Sequence, residues 1–135
     1  MSTTSPSMAE QIGHAASAFE HMRTGHVPKN VTVVLTADTL VITLRGVLTH
    51  AERVLANTEK GAAWVREYHR QLFASSSSSL LEEISRITGV EARESRMISG
   101  EAVPIFEMEA IVQVFVLAAA VPLTVWSGTS VADPT

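Results

Sequence analysis

The chain is predicted to be an α+β protein of two layers, a four-stranded, mostly antiparallel sheet with helices on one face, in the order α-β-β-α-(α)-β-β. Three features of the sequence predict it. An amphipathic helical stripe opens the chain. Two β-rich runs then flank a turn-sized gap at Ala37-Asp38. Near the end, the run Ala110 to Trp126 is apolar except for Gln113 and Thr124. At 17 residues that run is short of the about 20 a membrane helix needs, and Ile111, Val112, Val114, Phe115 and Val116 favour a buried strand.

The first helix spans about Met8 to Thr24, with Met8, Ile12, Ala15, Ala16, Phe19 and Met22 on one side and Gly25 then Pro28 as a stop. Val31 to Thr36 and Thr39 to Gly46 form a hairpin, and in the second run Leu40, Ile42 and Leu44 alternate with Val41, Thr43 and Arg45. Thr49 and Glu52 make a capping box for a second helix. Its expected apolar stripe is Ala51, Val54, Leu55, Thr58, Ala62, Val65, Leu72 and Phe73. The serines 75 to 79 fit either a continuing helix or a hinge before Leu80, Ile84 and Ile87, which Gly89 ends. Val90 to Ile98 is a polar edge strand, Ser99 to Met108 a connection, and Glu109 to Ala118 the last strand. Residues 1–7 are expected to be a disordered tail, 8–118 one domain, and 119–135 a partly disordered extension.

Composition narrows the function classes. The 135 residues are 46% hydrophobic and 18% charged, with a net charge of -4, so no bulk positive field exists to hold nucleic acid. With no Cys there is no disulfide, thiolate metal site or cysteine nucleophile, and nothing resembles a signal peptide. A cytoplasmic protein with no membrane span of its own is expected. Asp38 lies in a turn and Asp133 near the end, which excludes an Asp pair, and there is no phosphate loop, zinc helix or nucleophile elbow. No enzyme activity, cofactor or metal is therefore expected.

Two groups of side chains stand out. His14 and His21 share a helix face about 10.5 Å apart, opposite the apolar stripe, and read as solvated. His69 falls within the second helix's stripe, as a satisfied buried histidine or a pH-sensitive group. Arg66 and Arg70 flank it as a cationic patch that Glu59 and Glu67 can neutralise at helical spacing. Trp64 and Tyr68, four residues apart, lie on the flank away from the stripe and suggest a partner surface or a second core layer. Trp64, Arg66, Tyr68, His69 and Arg70 form the candidate partner or ligand patch.

Between His26 and Gly89 the run VPKNVTVVLTADTLVITLRGVLTHAERVLANTEKGAAWVREYHRQLF (27 to 73), then LLEEISRITGV (80 to 90), resembles the small bacterial MpsC-type family, named for a Na+-translocating membrane-potential-generating system. Gly46, Leu48, Thr49, Glu52, Leu55, Gly61, Arg70 and the Thr88-Gly89 close carry the likeness. Thr24 to Pro28 and Gly100 to Met108 depart from the family pattern. The resemblance implies an accessory component of such a system. With the residue chemistry beside it, the favoured reading is a protein without enzyme chemistry, peripheral at the inner face of the membrane, a homodimer or higher oligomer in contact with membrane-complex subunits. A small-ligand or pH-sensing domain built on His69, Arg66 and Arg70 is the alternative. An enzyme using Glu52 with His50 or His69 ranks last, because Glu52 already has a capping role.

Overall fold

The structure, a computed structural model, describes residues 7–98, 110–122 and Trp126. Helix α1 (Met8–Thr24) starts at a capping box between Ser7 and Glu10 and ends at Gly25, whose φ of 77° is the left-handed cap that glycine adopts without strain. Strands β1 (Asn30–Thr36) and β2 (Thr39–Arg45) form the expected hairpin, with an unbroken antiparallel register from Asn30↔Arg45 to Thr36↔Thr39. Helices α2 (His50–Leu55) and α3 (Glu59–Thr88) follow, then β3 (Ala92–Ile98) and β4 (Ala110–Leu117).

The sheet order is β1-β2-β4-β3 and all three pairings are antiparallel. This bears out the predicted α+β class. Leu40, Ile42 and Leu44 of β2, with Ile111 and Phe115 of β4, point to one face and are buried. Ile12 and Ala16 of α1 and Val65, Phe73, Leu80 and Ile84 of α3 belong to the same core cluster. Burying a large aliphatic side chain contributes about 1.5–3 kcal/mol, so the apolar β4 run is explained by the core it completes. Among the described residues no helix is long and apolar enough to cross a membrane.

The structure corrects the sequence reading in four places. The single second helix is two, because Ala56 to Thr58 interrupt it and Thr58 starts α3 by accepting a hydrogen bond from Gly61 N at 3.0 Å. The interruption resets the helical phase, so Val54 and Leu55, expected on the buried stripe, are exposed. Met22 is likewise exposed, at the solvent end of α1. Val121 and Trp126, assigned to a partly disordered extension, are buried in the core cluster. Residues 1–6, 123–125 and 127–135 of the expected tails and the connection Ser99 to Met108 lie outside the described residues, whereas Ser7, placed in the N-terminal tail, is the cap of α1.

The serine run is helical. Ser75 and Ser76 each donate from Oγ to the Leu72 carbonyl, at 2.9 and 3.0 Å, while Phe73 and Leu80 on either side are buried against the sheet layer. Packing thus overrides the weak helix propensity of serine.

Candidate functional site

The α1, α2 and α3 helices converge on a buried polar cluster. It begins with Glu52, in the first turn of α2. Thr49 Oγ1 accepts from Glu52 N at 3.2 Å, and Glu52 Oε1 accepts from Thr49 N at 2.8 Å, closing the capping box. The other oxygen is left to face inward, where Glu52 Oε2 lies 3.0 Å from His69 Nε2. One carboxylate therefore caps α2 and ties it to α3.

His69 is 4% exposed, so its second ring nitrogen also needs a partner inside the protein. Nδ1 lies 3.6 Å from Glu20 Oε2 of α1, just beyond hydrogen-bond reach, and that oxygen makes no hydrogen bond among the described residues. The other Glu20 oxygen accepts from Arg23 Nη2 at 3.3 Å. Arg23 also donates from Nη1 to Ser76 Oγ and from Nε to the Phe19 carbonyl, both at 3.3 Å, and its guanidinium sits 5.6 Å from the centre of the Phe73 ring. The imidazole is thus held between two carboxylates, one from each neighbouring helix.

Proton bookkeeping follows from this geometry. A neutral imidazole has a single N–H and can donate to only one of the two carboxylates. The nearer carboxylate is Glu52, at 3.0 Å, against 3.6 Å for Glu20. Burial pushes the Glu20 carboxyl above its ordinary value of 4.5, against the opposing pull of Arg23, His69 and His26, with Glu52 adding to the rise. Burial also lowers Arg23, against the pull of Glu20. The cluster therefore sets a buried carboxyl, held above its ordinary range, beside a buried imidazole, which is more than a capping contact.

Outside, α3 presents a different surface. Trp64 and Tyr68 stack with centroids 5.3 Å apart and planes at 6°, and they are 54% and 36% exposed. The two are joined there by α2, whose last residue lies against the same flank: a Cβ on Gly61, one turn before Trp64, would come within 1.8 Å of the Leu55 carbonyl oxygen. Only glycine permits that approach. Val54 and Leu55 are exposed beside this junction.

The candidate patch predicted from sequence is divided by the fold. His69 faces inward, with its ring edge-on to Tyr68 at 5.6 Å, while Trp64 and Tyr68 face outward. Arg70 is exposed and paired with Glu67, and Arg66 is half-buried and engaged in its own contacts. The arginines do not meet His69 as one pocket. The other motif residues have structural roles: Gly46 has φ 66° and lies against the Lys29 side chain, Leu48 is core, and Gly89 caps α3 with φ 75°. Thr88 Oγ1 donates to the Ile84 carbonyl at 2.8 Å and accepts from Val90 N at 3.2 Å.

Glu20 and Arg23 are absent from the sequence-derived patch. The signal for Glu20 is its spacing, since it follows Ile12 and Ala16 at four-residue steps and those three are the buried residues of α1. An acid on an apolar stripe calls for an internal partner. Nothing in local spacing points from Arg23 to Ser76, 53 positions away.

A family model described as Na+-translocating membrane potential-generating system (MpsC) matches residues 4–99, taking in α1 to β3 and every residue of the buried cluster. No curated protein and no solved structure gives a match. The family match covers more than two thirds of the 135 residues and extends the likeness seen at 26–89 to the helix that supplies Glu20 and Arg23, and on it the chain belongs to the MpsC family.

Proposed function

We propose that this chain is a non-enzymatic accessory protein that works by contact with subunits of a membrane cation-translocating, membrane-potential-generating system, at the cytoplasmic face. The observation that carries this reading is the exposed Trp64–Tyr68 stack on a rigid 30-residue helix. Aromatic side chains offer a large contact area at low entropy cost and are enriched at protein interfaces, so a stacked pair left in solvent is a natural anchor for a partner. The family description supplies the kind of system. In this reading the ion path belongs to the partner subunits.

The test is affinity recovery of the tagged protein from detergent-solubilised membranes of its own cell, with co-purifying subunits identified by mass spectrometry. Discrete membrane subunits are expected with the native chain. Recovery of the protein alone, under conditions that keep the membrane complex intact, contradicts the proposal.

A second reading rests on the imidazole held between Glu20 and Glu52, which suits a proton-responsive regulatory domain. It expects partner recovery to change between pH 6 and pH 8, and Glu20→Gln to remove that change. A pH-independent wild type rules it out.

A further inference from the structure

The two edges of the sheet are built differently. The β3 edge carries Arg93 and Glu94, both exposed, and breaks register with β4 between Ala92 and Glu94. Charges and bulges of this kind keep an edge from pairing with another strand. The β1 edge has neither. Its seven residues, Asn-Val-Thr-Val-Val-Leu-Thr, contain no charge, glycine or proline, and they run in unbroken register with β2. No strand among the described residues covers its outer side.

Beside this edge lies a groove of about 400 Å³ between α1 and β1, lined by Lys29, Val31 and Val33 and, on the helix, by Ala9, Gly13 and Ser17 at four-residue steps with Glu10 and His14 beside them. Val31, Val33 and Leu35 lie against the core yet stay only partly buried. The turn Ala37-Asp38 joins Thr36 to Thr39, which makes that pair a hydrogen-bonded one, so alternation aims the backbone N–H and C=O groups of Val31, Val33 and Leu35 away from β2. The residues with side chains short of full burial are the residues with outward backbone groups.

We infer that a second copy of this chain pairs its β1 antiparallel to β1 of the first about a twofold axis at Val33, merging the two sheets into one of eight strands. The register sets Val33 against Val33 and Val31 against Leu35 on the helix side, and Thr32 against Val34 and Asn30 against Thr36 on the other. Every opposed pair is uncharged and contains at least one β-branched residue, which suits an antiparallel ladder. About six hydrogen bonds would use the outward groups of Val31, Val33 and Leu35 in both copies. At each end Lys29 of one copy meets the turn bearing Asp38 of the other, a charge complementarity repeated by the symmetry. The small residues of α1 leave space for the partner's side chains. This surface for self-association does not depend on the α3 flank or a membrane partner.

The test is the molar mass of the full chain in solution, by light scattering and sedimentation across concentration. The wild type is expected at twice the 14.5 kDa chain mass. Thr32→Lys with Val34→Lys, both at exposed positions, places like charges opposite one another and should weaken dimerisation at least 100-fold. Mixing it with Thr32→Glu/Val34→Glu should restore a heterodimer. Independently of any variant, hydrogen exchange on the wild type should show the amides of Val31, Val33 and Leu35 protected only at dimer-forming concentrations. A monomeric wild type overturns the proposal, whether those amides exchange freely, as for an edge awaiting a foreign strand, or are protected, as for an edge covered by residues 99–109 of the same chain. So does a dimer in which they exchange freely, or one that the lysine pair leaves intact.

Discussion

Tyr68 and His69 are adjacent in the chain and belong to opposite sides of α3. The inner side holds an imidazole between two carboxylates, with Arg23 behind them, all withdrawn from water. The outer side leaves a stacked Trp64–Tyr68 pair in solvent beside Val54 and Leu55. Inside, polar groups are committed to one another and hold three helices in one arrangement; outside, apolar surface is uncommitted to the fold. The contrast separates what the domain needs in order to fold from what it has free to offer a partner.

The sharpest way to break this contrast is His69→Ala. It leaves Glu20 and Glu52 buried without the group between them, and a buried polar group left unsatisfied costs about 1–3 kcal/mol each, to which the cavity left by the ring adds. Urea unfolding monitored by circular dichroism measures it. A loss below about 1 kcal/mol would mean that the inner cluster does not hold the helices together.

Gly61→Ala probes the junction between the two sides. Its Cβ cannot coexist with the Leu55 carbonyl, so α2 must move off α3, at a cost of about 1–3 kcal/mol typical of overpacking. A thermal melt reads this, and an unchanged midpoint would show that the junction is loose.

Glu20→Gln tests the proton. Because folding raises the Glu20 carboxyl above 4.5, the folded state binds that proton more tightly than the unfolded chain. The resulting stability is fully present below 4.5 and is lost as pH rises through the raised value. Between pH 4.5 and 7 the wild type should therefore lose more stability with rising pH than the Gln variant, in urea midpoints taken at matched salt. Parallel profiles would contradict the raised carboxyl.

The smallest effect on folding belongs to the outer side. Trp64→Ala and Tyr68→Ala should each change stability by about 0.5 kcal/mol or less, since neither ring is part of the core. A melt shifted as far as that of His69→Ala would mean that the outer stack belongs to the fold and is not a free surface.

Most of the architecture is legible in the sequence because it rests on short-range pattern. The alternation of Leu40, Ile42 and Leu44, the Thr49–Glu52 box and the Gly25 and Gly89 stops each act within a few residues, and each stands where the spacing puts it. The α2–α3 break is not legible because Ala56, Asn57 and Thr58 are compatible with a continuing helix, and the close backbone approach of Leu55 to Gly61 that accompanies the turn leaves only a glycine as its sign. Of the buried cluster, His69 is recognisable from its place on the stripe, and Glu52 from its capping box. Its link to Glu20 depends on how α1 crosses α3, which no local spacing encodes.

The most direct measurement is the recovery of membrane subunits with wild-type protein against Trp64→Ala/Tyr68→Ala, quantified by mass spectrometry from the same solubilised membranes. If the outer side of α3 is the contact, the double variant keeps the wild-type melting temperature and recovers at least tenfold less of the membrane subunits. Equal recovery by the two proteins would contradict that assignment.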